Sequence, residues 1–183
     1  MNPIFVKKRA ATLLGPSQVS AVIGCDPFMD AGTLKDRMEN GYIQQQTTAL
    51  QRGVQYESLL LSLYSHLCGL KPLKARFAID PAMPRFGGIA DALISKDGGV
   101  EIKCCNGTPK VYDTYRIQAV CYMFLYQRGW WDIMVANPDT KENIVERLYW
   151  KDYAEQWSDS WYPQIRTFIA TVKWARPLWE PRT

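Results

Sequence analysis

The sequence predicts an α/β fold in which helices cover both faces of a mixed β-sheet, a three-layer α/β/α sandwich. Apolar residues follow helical spacing over residues 54–68 and 112–127, and Gly69 ends the first of these runs. Short apolar segments separated by Gly, Pro and Asp turn signals lie between and after these two helices. The resulting order, helices followed by βββαββα, indicates a sheet buried between two helical layers.

Two short helices are predicted ahead of the first long helix. Ser17 is a favourable N-cap residue and opens a helix over residues 17–23, which Gly24 ends. A second short helix is predicted over residues 33–40, with Gly41 as its stop signal. Both belong to the helical layers that flank the sheet.

Five strands are predicted from alternating or continuous apolar character and from the turn residues between them. They are residues 74–79, 88–95, 99–104, 130–136 and 144–150. The first three are expected to form a meander, and the apolar helix precedes the last two. Asp152 is then expected to cap a long C-terminal helix that Pro163 kinks.

Composition excludes several classes of protein. Of the 183 residues, 47% are hydrophobic and 22% are charged, which disfavours disordered, collagen-like and disulfide-rich chains and fits a single domain over residues 1–183. No apolar stretch approaches the roughly 20 residues that cross a bilayer, so no membrane association is expected. Five scattered cysteines without a CxxC pair favour free thiols in a reducing cytoplasm. The net charge of +4 is compatible with an anionic partner.

The main candidates for catalysis and metal binding lie on two predicted strands joined by a turn at residues 97–99. Asp91 lies on the first strand, and Glu101 and Lys103 lie on the second. Because residues i and i+2 of a strand face the same side, Glu101 and Lys103 are neighbours, and the hairpin brings Asp91 to the same end of the sheet. Carboxylates beside a strong cation suit Mg²⁺, which keeps several waters and polarises a phosphate. The cluster predicts metal-assisted phosphodiester hydrolysis.

The two long helices add polar residues to this cluster. Glu57 lies on the same helical stripe as Leu61 and Tyr64, so its carboxylate requires a partner. Gln118 and Tyr122 are spaced i, i+4 and share a face of the apolar helix. A metal-bound water or a phosphate would satisfy the Gln118 amide.

Five sequence motifs occur in a fixed order between residues 9 and 136. They are Arg9, the stretch over residues 15–24, Gly53-x-x-x-Glu57, Asp91 ten residues before Glu101-Ile102-Lys103, and Gln118-x-x-x-Tyr122. In these motifs the chain resembles the PD-(D/E)XK nuclease superfamily and, within it, the phage lambda-type exonucleases, also called YqaJ-like viral recombinases. Ala90 stands where the superfamily name has proline, which is a common departure. The resemblance implies a restriction-endonuclease-like core.

The resemblance also implies a metal centre. Asp91, Glu101 and the backbone carbonyl of Ile102 would hold one Mg²⁺, and Mn²⁺ would be able to substitute for it. Glu57 would assist with this ion or with a second one.

The remaining roles implied by the resemblance concern water and phosphate. Lys103 would act on the attacking water, and Gln118 would orient the water or the phosphate, with Tyr122 in a supporting position. Arg9 and Ser17 would bind a terminal 5′ phosphate, because a guanidinium and a helix N-terminus are both good phosphate partners. A charged tail and a helix cap explain Arg9 and Ser17 nearly as well.

The implied activity is that of a Mg²⁺-dependent deoxyribonuclease that degrades double-stranded DNA from its ends. The resemblance adds 5′ to 3′ polarity, release of 5′-mononucleotides, 3′ single strands for phage-type recombination, a homotrimer, a single-strand annealing partner and a bacterial host cytoplasm. Two alternatives stay open: a restriction-like or repair endonuclease on the same fold, and a non-catalytic module that binds DNA ends. The presence of Asp91, Glu101 and Lys103 argues against the second.

Several residues have simpler structural interpretations. The acid–lysine cluster could be a surface salt bridge, which its apolar neighbours disfavour. His66, the only histidine, is expected on the solvated side of its helix. Cys104 and Cys105 are expected to be packing thiols. Trp157 and Trp161 are expected in the core or at a subunit interface rather than in a base-stacking platform.

Overall fold

The computed structural model describes residues 13–40 and 47–174. The helices are α1 (Val19–Val22), α2 (Ala31–Glu39), α3 (Thr48–Cys68), α4 (Asp113–Tyr126), α5 (Ala154–Gln156) and α6 (Tyr162–Thr171). The strands are β1 (Pro72–Leu73), β2 (Ala78–Asp80), β3 (Met83–Gly88), β4 (Ala92–Ile94), β5 (Gly98–Cys104), β6 (Trp130–Ala136) and β7 (Asn143–Tyr149). Among the described residues, no helix is both long enough and apolar enough to cross a membrane.

The N-terminal helices begin at residues other than those predicted. Ser17 does not cap the first helix, because Gln18 is the N-cap of α1 and Ser17 lies exposed within the preceding 3₁₀ turn over Pro16–Gln18, whose N-cap is Gly15. Pro16 accounts for the difference, since its fixed φ favours the first position of a helical turn. Helix α2 begins before the predicted residue 33 because the Asp30 carboxylate accepts a hydrogen bond from the Thr33 N–H at 2.7 Å.

Helix α3 carries Glu57 and is one and a half turns longer than predicted at its N-terminal end. The Thr47 hydroxyl accepts a hydrogen bond from the Leu50 N–H at 3.2 Å and caps the helix there. Its other end is the predicted one, since Gly69 adopts φ +65° and ends the helix. Glu57 is therefore placed in the middle of a continuous helix.

The main sheet has five strands in the order β1-β4-β5-β6-β7. Only β5 and β6 are parallel, and α4 forms the crossover between them. The predicted meander is wrong in its first part, because β2 and β3 form a separate two-stranded hairpin and only β4 and β5 are the expected antiparallel pair. Pro84 is one of the proline turn signals between the predicted strands, but it lies within β3, where a two-stranded ladder leaves one strand edge unpaired and tolerates proline.

Two hydrophobic cores lie on opposite faces of the main sheet, which confirms the three-layer arrangement. On one face, Leu60 and Tyr64 of α3 pack on Ile94, Val100 and other strand residues. The other face is covered by α4, by the C-terminal helices and by the N-terminal segment. Strand β5, which carries Glu101 and Lys103, therefore lies between the two helical layers.

The C-terminal helical region is not one regular α-helix. Asp152 lies in a 3₁₀ turn over Trp150–Asp152, and α5 leads into a π-helical segment over Trp157–Trp161 before α6. Pro163 lies in the first turn of α6, where its missing N–H costs no hydrogen bond. Within the π segment Trp157 and Trp161 are buried, so their predicted core position is confirmed and they offer no base-stacking platform.

Candidate active site

The β4–β5 hairpin places Asp91 beside the middle of β5. Ala92 pairs with Val100 in the antiparallel register, and Asp91 precedes β4 by one residue instead of lying within a strand. Its Oδ2 accepts a hydrogen bond from the backbone N–H of Ile102 at 2.7 Å. The hairpin therefore brings the Asp91 carboxylate against Glu101 and Ile102, as the turn signals predict.

Glu101, Lys103 and Gln118 form a closed triangle of hydrogen bonds. Lys103 Nζ donates to Glu101 Oε1 at 2.8 Å and to Gln118 Oε1 at 2.9 Å, while Gln118 Nε2 donates to Glu101 Oε1 at 2.6 Å. Glu101 and Gln118 are only 4% and 6% exposed. The i, i+2 spacing on β5 supplies the acid and the lysine, and α4 supplies the amide from the neighbouring layer.

Lys103 is held in its charged form. Burial opposes the ammonium, but the charge of Glu101 and the hydrogen bond to it outweigh burial and raise the pKa of Lys103 above its usual value. The side chain therefore acts here as a fixed positive charge and hydrogen-bond donor.

The acidic side chains of the site repel one another. Burial, followed by the charge of Glu101, raises the pKa of Asp91 well above its usual value. Burial and then the charge of Glu101 also raise the pKa of Glu57, which lies half-buried on α3. The second oxygen of Glu101, Oε2, is buried and has no hydrogen-bond partner. An orphaned buried carboxylate oxygen among like charges is a place where a cation is stabilised.

These residues fit Mg²⁺, although side chains alone would not fill its coordination sphere. Among the described residues no three His, Cys, Asp or Glu side chains are close enough together to hold a metal ion, so Glu57 is not brought into direct contact with both other acids. Mg²⁺ is typically bound through one or two carboxylates and several waters, which Asp91, Glu101 and the Ile102 carbonyl would satisfy.

The raised pKa of Asp91 predicts how the stability of the metal-free protein depends on pH. A carboxyl group with a folded-state pKa above its unfolded value binds more protons in the folded state, so stability falls as pH rises from about 4 through the folded pKa. Asp91→Asn retains an acceptor for the Ile102 N–H and removes the charge. We expect this variant to be more stable than wild type at neutral pH and the difference to vanish near pH 4, measured by urea unfolding in chelator.

Asp36→Asn, on an exposed position of α2, is the matched control and is expected to reproduce the wild-type pH profile. A wild-type protein that gains stability between pH 4 and 7 relative to Asp91→Asn would contradict the prediction.

Two tyrosines of α4 fix the backbone that leads to Asp91. The predicted supporting residue Tyr122 donates to the Ile89 carbonyl at 2.8 Å. Tyr126 accepts from the Ala90 N–H at 3.2 Å and donates to the Arg76 carbonyl at 2.5 Å. The sequence interpretation missed Tyr126, although it continues the i, i+4 spacing from Gln118 through Tyr122 by one further turn.

Of the predicted phosphate-binding pair, only Ser17 lies within the described residues, and Arg9 lies outside them. The 3₁₀ turn that carries Ser17 packs beside the segment leading to Asp91. A Cβ added at Gly88 would lie 2.7 Å from Pro16 Cδ and 3.2 Å from Tyr122 Cε1, so only glycine permits this close approach. The turn is therefore fixed against the same backbone that Tyr122 holds.

A buried ion-pair network anchors α3, and with it Glu57, to the sheet. Asp132 on β6 is 1% exposed and accepts from Arg147 Nε at 2.7 Å and from the Tyr64 hydroxyl at 2.6 Å. Arg147 also lies over the Trp130 ring at 3.9 Å. This network was not predicted, although a lone aspartate in an otherwise apolar strand is a signal that a buried partner is needed.

His66, Cys104 and Cys105 lie outside the hydrogen-bonded triangle. His66 is exposed on α3, as expected. Cys104 and Cys105 are partly buried free thiols at the end of β5, and Cys105 Sγ donates to the Gly107 carbonyl at 3.2 Å.

An acid–lysine hairpin on a mixed sheet between two helical layers is the arrangement that the resemblance to the PD-(D/E)XK nuclease superfamily predicts. The sequence profile of the YqaJ-like viral recombinase domain matches residues 5–125. The chain belongs to this family, which confirms the resemblance found in the sequence.

Solved structures of exonucleases have a similar fold. An alkaline exonuclease (LHK-Exo) from Laribacter hongkongensis has a TM-score of 0.71 at 21% identity, with 91% of each chain covered. The same exonuclease in complex with dAMP gives a TM-score of 0.72 at 21% identity, with 92% of this chain and 91% of that chain covered. A phage-related exonuclease from Haemophilus somnus 129PT gives 0.64 at 14% identity, with 90% and 93% covered. Among curated proteins, no match to the chain is found.

Proposed function

We propose that the protein is a Mg²⁺-dependent exodeoxyribonuclease that hydrolyses double-stranded DNA from its ends. The observation that carries the proposal is the buried triangle of Glu101, Lys103 and Gln118 beside Asp91, with one carboxylate oxygen of Glu101 left without a partner. Membership of the YqaJ-like family and a fold shared with exonucleases support it. One of those exonucleases is known in complex with dAMP, a 5′-mononucleotide of the kind expected as product.

Each residue of the site has a proposed part in the reaction. Asp91, Glu101 and the Ile102 carbonyl would hold Mg²⁺, with Glu57 assisting, and the ion when bound would polarise the phosphate and acidify a water. The Lys103 ammonium stabilises negative charge that develops on the phosphate and donates a hydrogen bond to Glu101. Gln118 orients its neighbours by donating to Glu101 and accepting from Lys103.

The family resemblance also implies a cleavage polarity, an oligomeric state and a cellular location for the proposed enzyme. The enzyme would degrade the 5′-ended strand, leave 3′ single strands for phage-type recombination and act as a homotrimer with a single-strand annealing protein. Its setting would be the cytoplasm of a bacterial host. Residues 1–183 would form one nuclease domain, with Tyr122 supporting the site.

The test is time-resolved digestion of linear duplexes labelled at either end, in Mg²⁺ and in chelator. An exonuclease releases labelled mononucleotide from the 5′-labelled end first and leaves covalently closed circular DNA intact. Cutting of the closed circle would favour the endonuclease alternative. Binding of duplex ends without release of nucleotides in Mg²⁺ or Mn²⁺ would favour the non-catalytic alternative.

A preference for 5′-phosphorylated ends is the next expected result. If Arg9 and the turn that carries Ser17 bind a terminal phosphate, charge-assisted hydrogen bonds draw that end into the site. Each such bond contributes about 1.5–3 kcal/mol, so a 5′-hydroxyl end should be degraded roughly 10- to 100-fold more slowly at limiting substrate. Arg9→Ala is expected to erase most of this preference while residual cutting remains. Full retention of the preference by Arg9→Ala would place the phosphate pocket elsewhere.

Loss of the Tyr126 hydroxyl is expected to weaken metal use more than folding. Tyr126→Phe releases the Ala90 N–H, one residue before Asp91, so the carboxylate is less firmly placed. We expect the Mg²⁺ concentration for half-maximal cleavage to rise about tenfold. The measurement is a Mg²⁺ titration of the cleavage rate, with the unfolding midpoint determined in parallel.

Tyr162→Phe is the matched control for Tyr126→Phe. The Tyr162 hydroxyl donates to Asp80 Oδ2 at 2.8 Å, a comparable bond on the β2–β3 hairpin and away from Asp91. This variant is expected to lose a similar stability, about 1 kcal/mol, without any change in Mg²⁺ dependence. Equal Mg²⁺ shifts in both variants would show that Tyr126 has only a general structural role.

A further inference from the structure

A row of aromatic and cationic side chains leads from the site to the surface at the start of α4. The Lys103 ammonium lies 5.2 Å from the centroid of the Tyr115 ring. Tyr112 makes an edge contact with Tyr115, with ring centroids 5.4 Å apart and planes at 88°. Lys110 Nζ lies 5.6 Å from the Tyr112 ring. The row thus joins a residue of the acidic site to an exposed ring.

Packing within the protein does not explain the outer residues of this row, Tyr112 and Lys110. The Tyr112 side chain is 51% exposed, and although Tyr112 is the N-cap residue of α4 its side chain makes no capping hydrogen bond. The neighbouring carboxylate of Asp113 is paired with Arg116 at 2.6 Å. The surface beside the site therefore presents an exposed aromatic ring and an ammonium, next to Asp113, which shares the Arg116 guanidinium with Glu146.

We propose that Tyr112 and Lys110 form a binding subsite for single-stranded DNA that runs into or out of the active site. A base would stack on the Tyr112 ring, and a phosphate of the same strand would contact Lys110. Successive contacts of 5.2–5.6 Å connect Lys103 with Tyr115, Tyr112 and Lys110, so the exposed pair lies close to a strand bound at Lys103. This subsite rests on the proposed nuclease function, because that function places a DNA strand at Lys103.

The chain contains a matched pair that lacks this connection. Tyr149 is 44% exposed, and Lys151 Nζ lies 5.7 Å from its ring. Tyr149 pairs across the sheet with Trp130, which pairs with Gly98 at the opposite end of β5 from Lys103. Tyr149 therefore controls for an exposed tyrosine beside a lysine that is remote from the acidic site.

The experiment measures binding of a short fluorescein-labelled single-stranded oligodeoxynucleotide by anisotropy, in chelator so that no metal-assisted cleavage occurs. The proteins are wild type, Tyr112→Ala, Tyr112→Trp and Tyr149→Ala, each checked for an unchanged unfolding midpoint. Loss of one stacked base should weaken binding by Tyr112→Ala about tenfold. Tyr112→Trp should bind at least as tightly as wild type, and Tyr149→Ala should match wild type.

Equal binding by Tyr112→Ala and wild type, an equal loss in Tyr149→Ala, or no binding by wild type would each overturn the subsite. The chelator separates this result from the nuclease proposal. Tyr112-dependent binding by a protein that cuts no DNA in Mg²⁺ would overturn the nuclease and leave the subsite standing. Cleavage in Mg²⁺ with no Tyr112 dependence of binding would overturn the subsite alone.

Discussion

Lys103→Ala is expected to abolish cleavage of linear duplex DNA, and Glu101→Ala is expected to do the same. The first change removes the ammonium that bridges Glu101 and Gln118, and the second removes a proposed metal ligand and the acceptor of two hydrogen bonds. Removing a preorganised charge from a transition state costs about 10²–10³-fold in rate, and loss of a metal ligand costs at least as much. Release of labelled nucleotide under single-turnover conditions measures the loss.

Binding of DNA ends should be largely retained in both variants, which separates a catalytic defect from unfolding. His66→Gln is the control, because His66 is exposed on α3 and is expected to leave the rate nearly unchanged. Turnover close to wild type by either purified variant would refute the site assignment. A hundredfold loss in His66→Gln would show that a proton-transferring residue has been misplaced.

Asp132→Ala is expected to cause the largest loss of stability. It leaves the Tyr64 hydroxyl and the Arg147 guanidinium without their shared buried partner. Leaving the buried Tyr64 hydroxyl unpaired costs about 1–3 kcal/mol, and loss of the charged hydrogen bonds to the partly exposed Arg147 adds to this, so the total is a large part of the stability of a domain this size. Urea unfolding followed by circular dichroism measures the change.

Asp113→Ala is the comparison for this prediction. Asp113 is also paired with an arginine, Arg116, but its side chain is 81% exposed, so its loss should cost no more than about 1 kcal/mol. Tyr64→Phe removes one hydrogen bond of the Asp132 network, so its loss of stability should lie between those of the other two variants. Equal unfolding midpoints for Asp132→Ala and Asp113→Ala would show that the buried network does not anchor α3.

The central hairpin was predictable from sequence because its determinants are local. The turn signals at residues 97–99, next to the actual turn at residues 95–97, and the i, i+2 relation of Glu101 and Lys103 act within a few residues of each other. The helical spacing of α4 likewise placed Gln118 on a definable face. Local patterns of this kind indicate both the elements and the side of the sheet that a side chain takes.

The features that the sequence interpretation missed depend on contacts distant in sequence or on the backbone. Tyr126 bonds to backbone groups of residues 76 and 90, and backbone partners have no residue-type signature. Tyr64 was interpreted as one member of an apolar stripe, yet its hydroxyl finds Asp132 across the sheet. The separate β2–β3 hairpin could not be predicted because proline usually ends a strand. The sequence does not show which strand edge lacks a hydrogen-bonding partner and so tolerates proline.

The distances along the chain between the site's contacts imply an order of assembly during folding. The Asp91–Ile102 contact closes a loop of 11 residues and the Glu101–Gln118 contact one of 17, whereas the Tyr64–Asp132 contact that docks α3 spans 68. Loop-closure entropy rises with the length of chain enclosed, so the hairpin contacts are expected first and the docking of α3 last. An intermediate in which the sheet has formed but α3 has not docked would then hold Asp91 and Glu101 side by side without Glu57. Glu57 would be the last acidic residue to reach the site, so the active centre would be completed only when the chain closes this 68-residue loop.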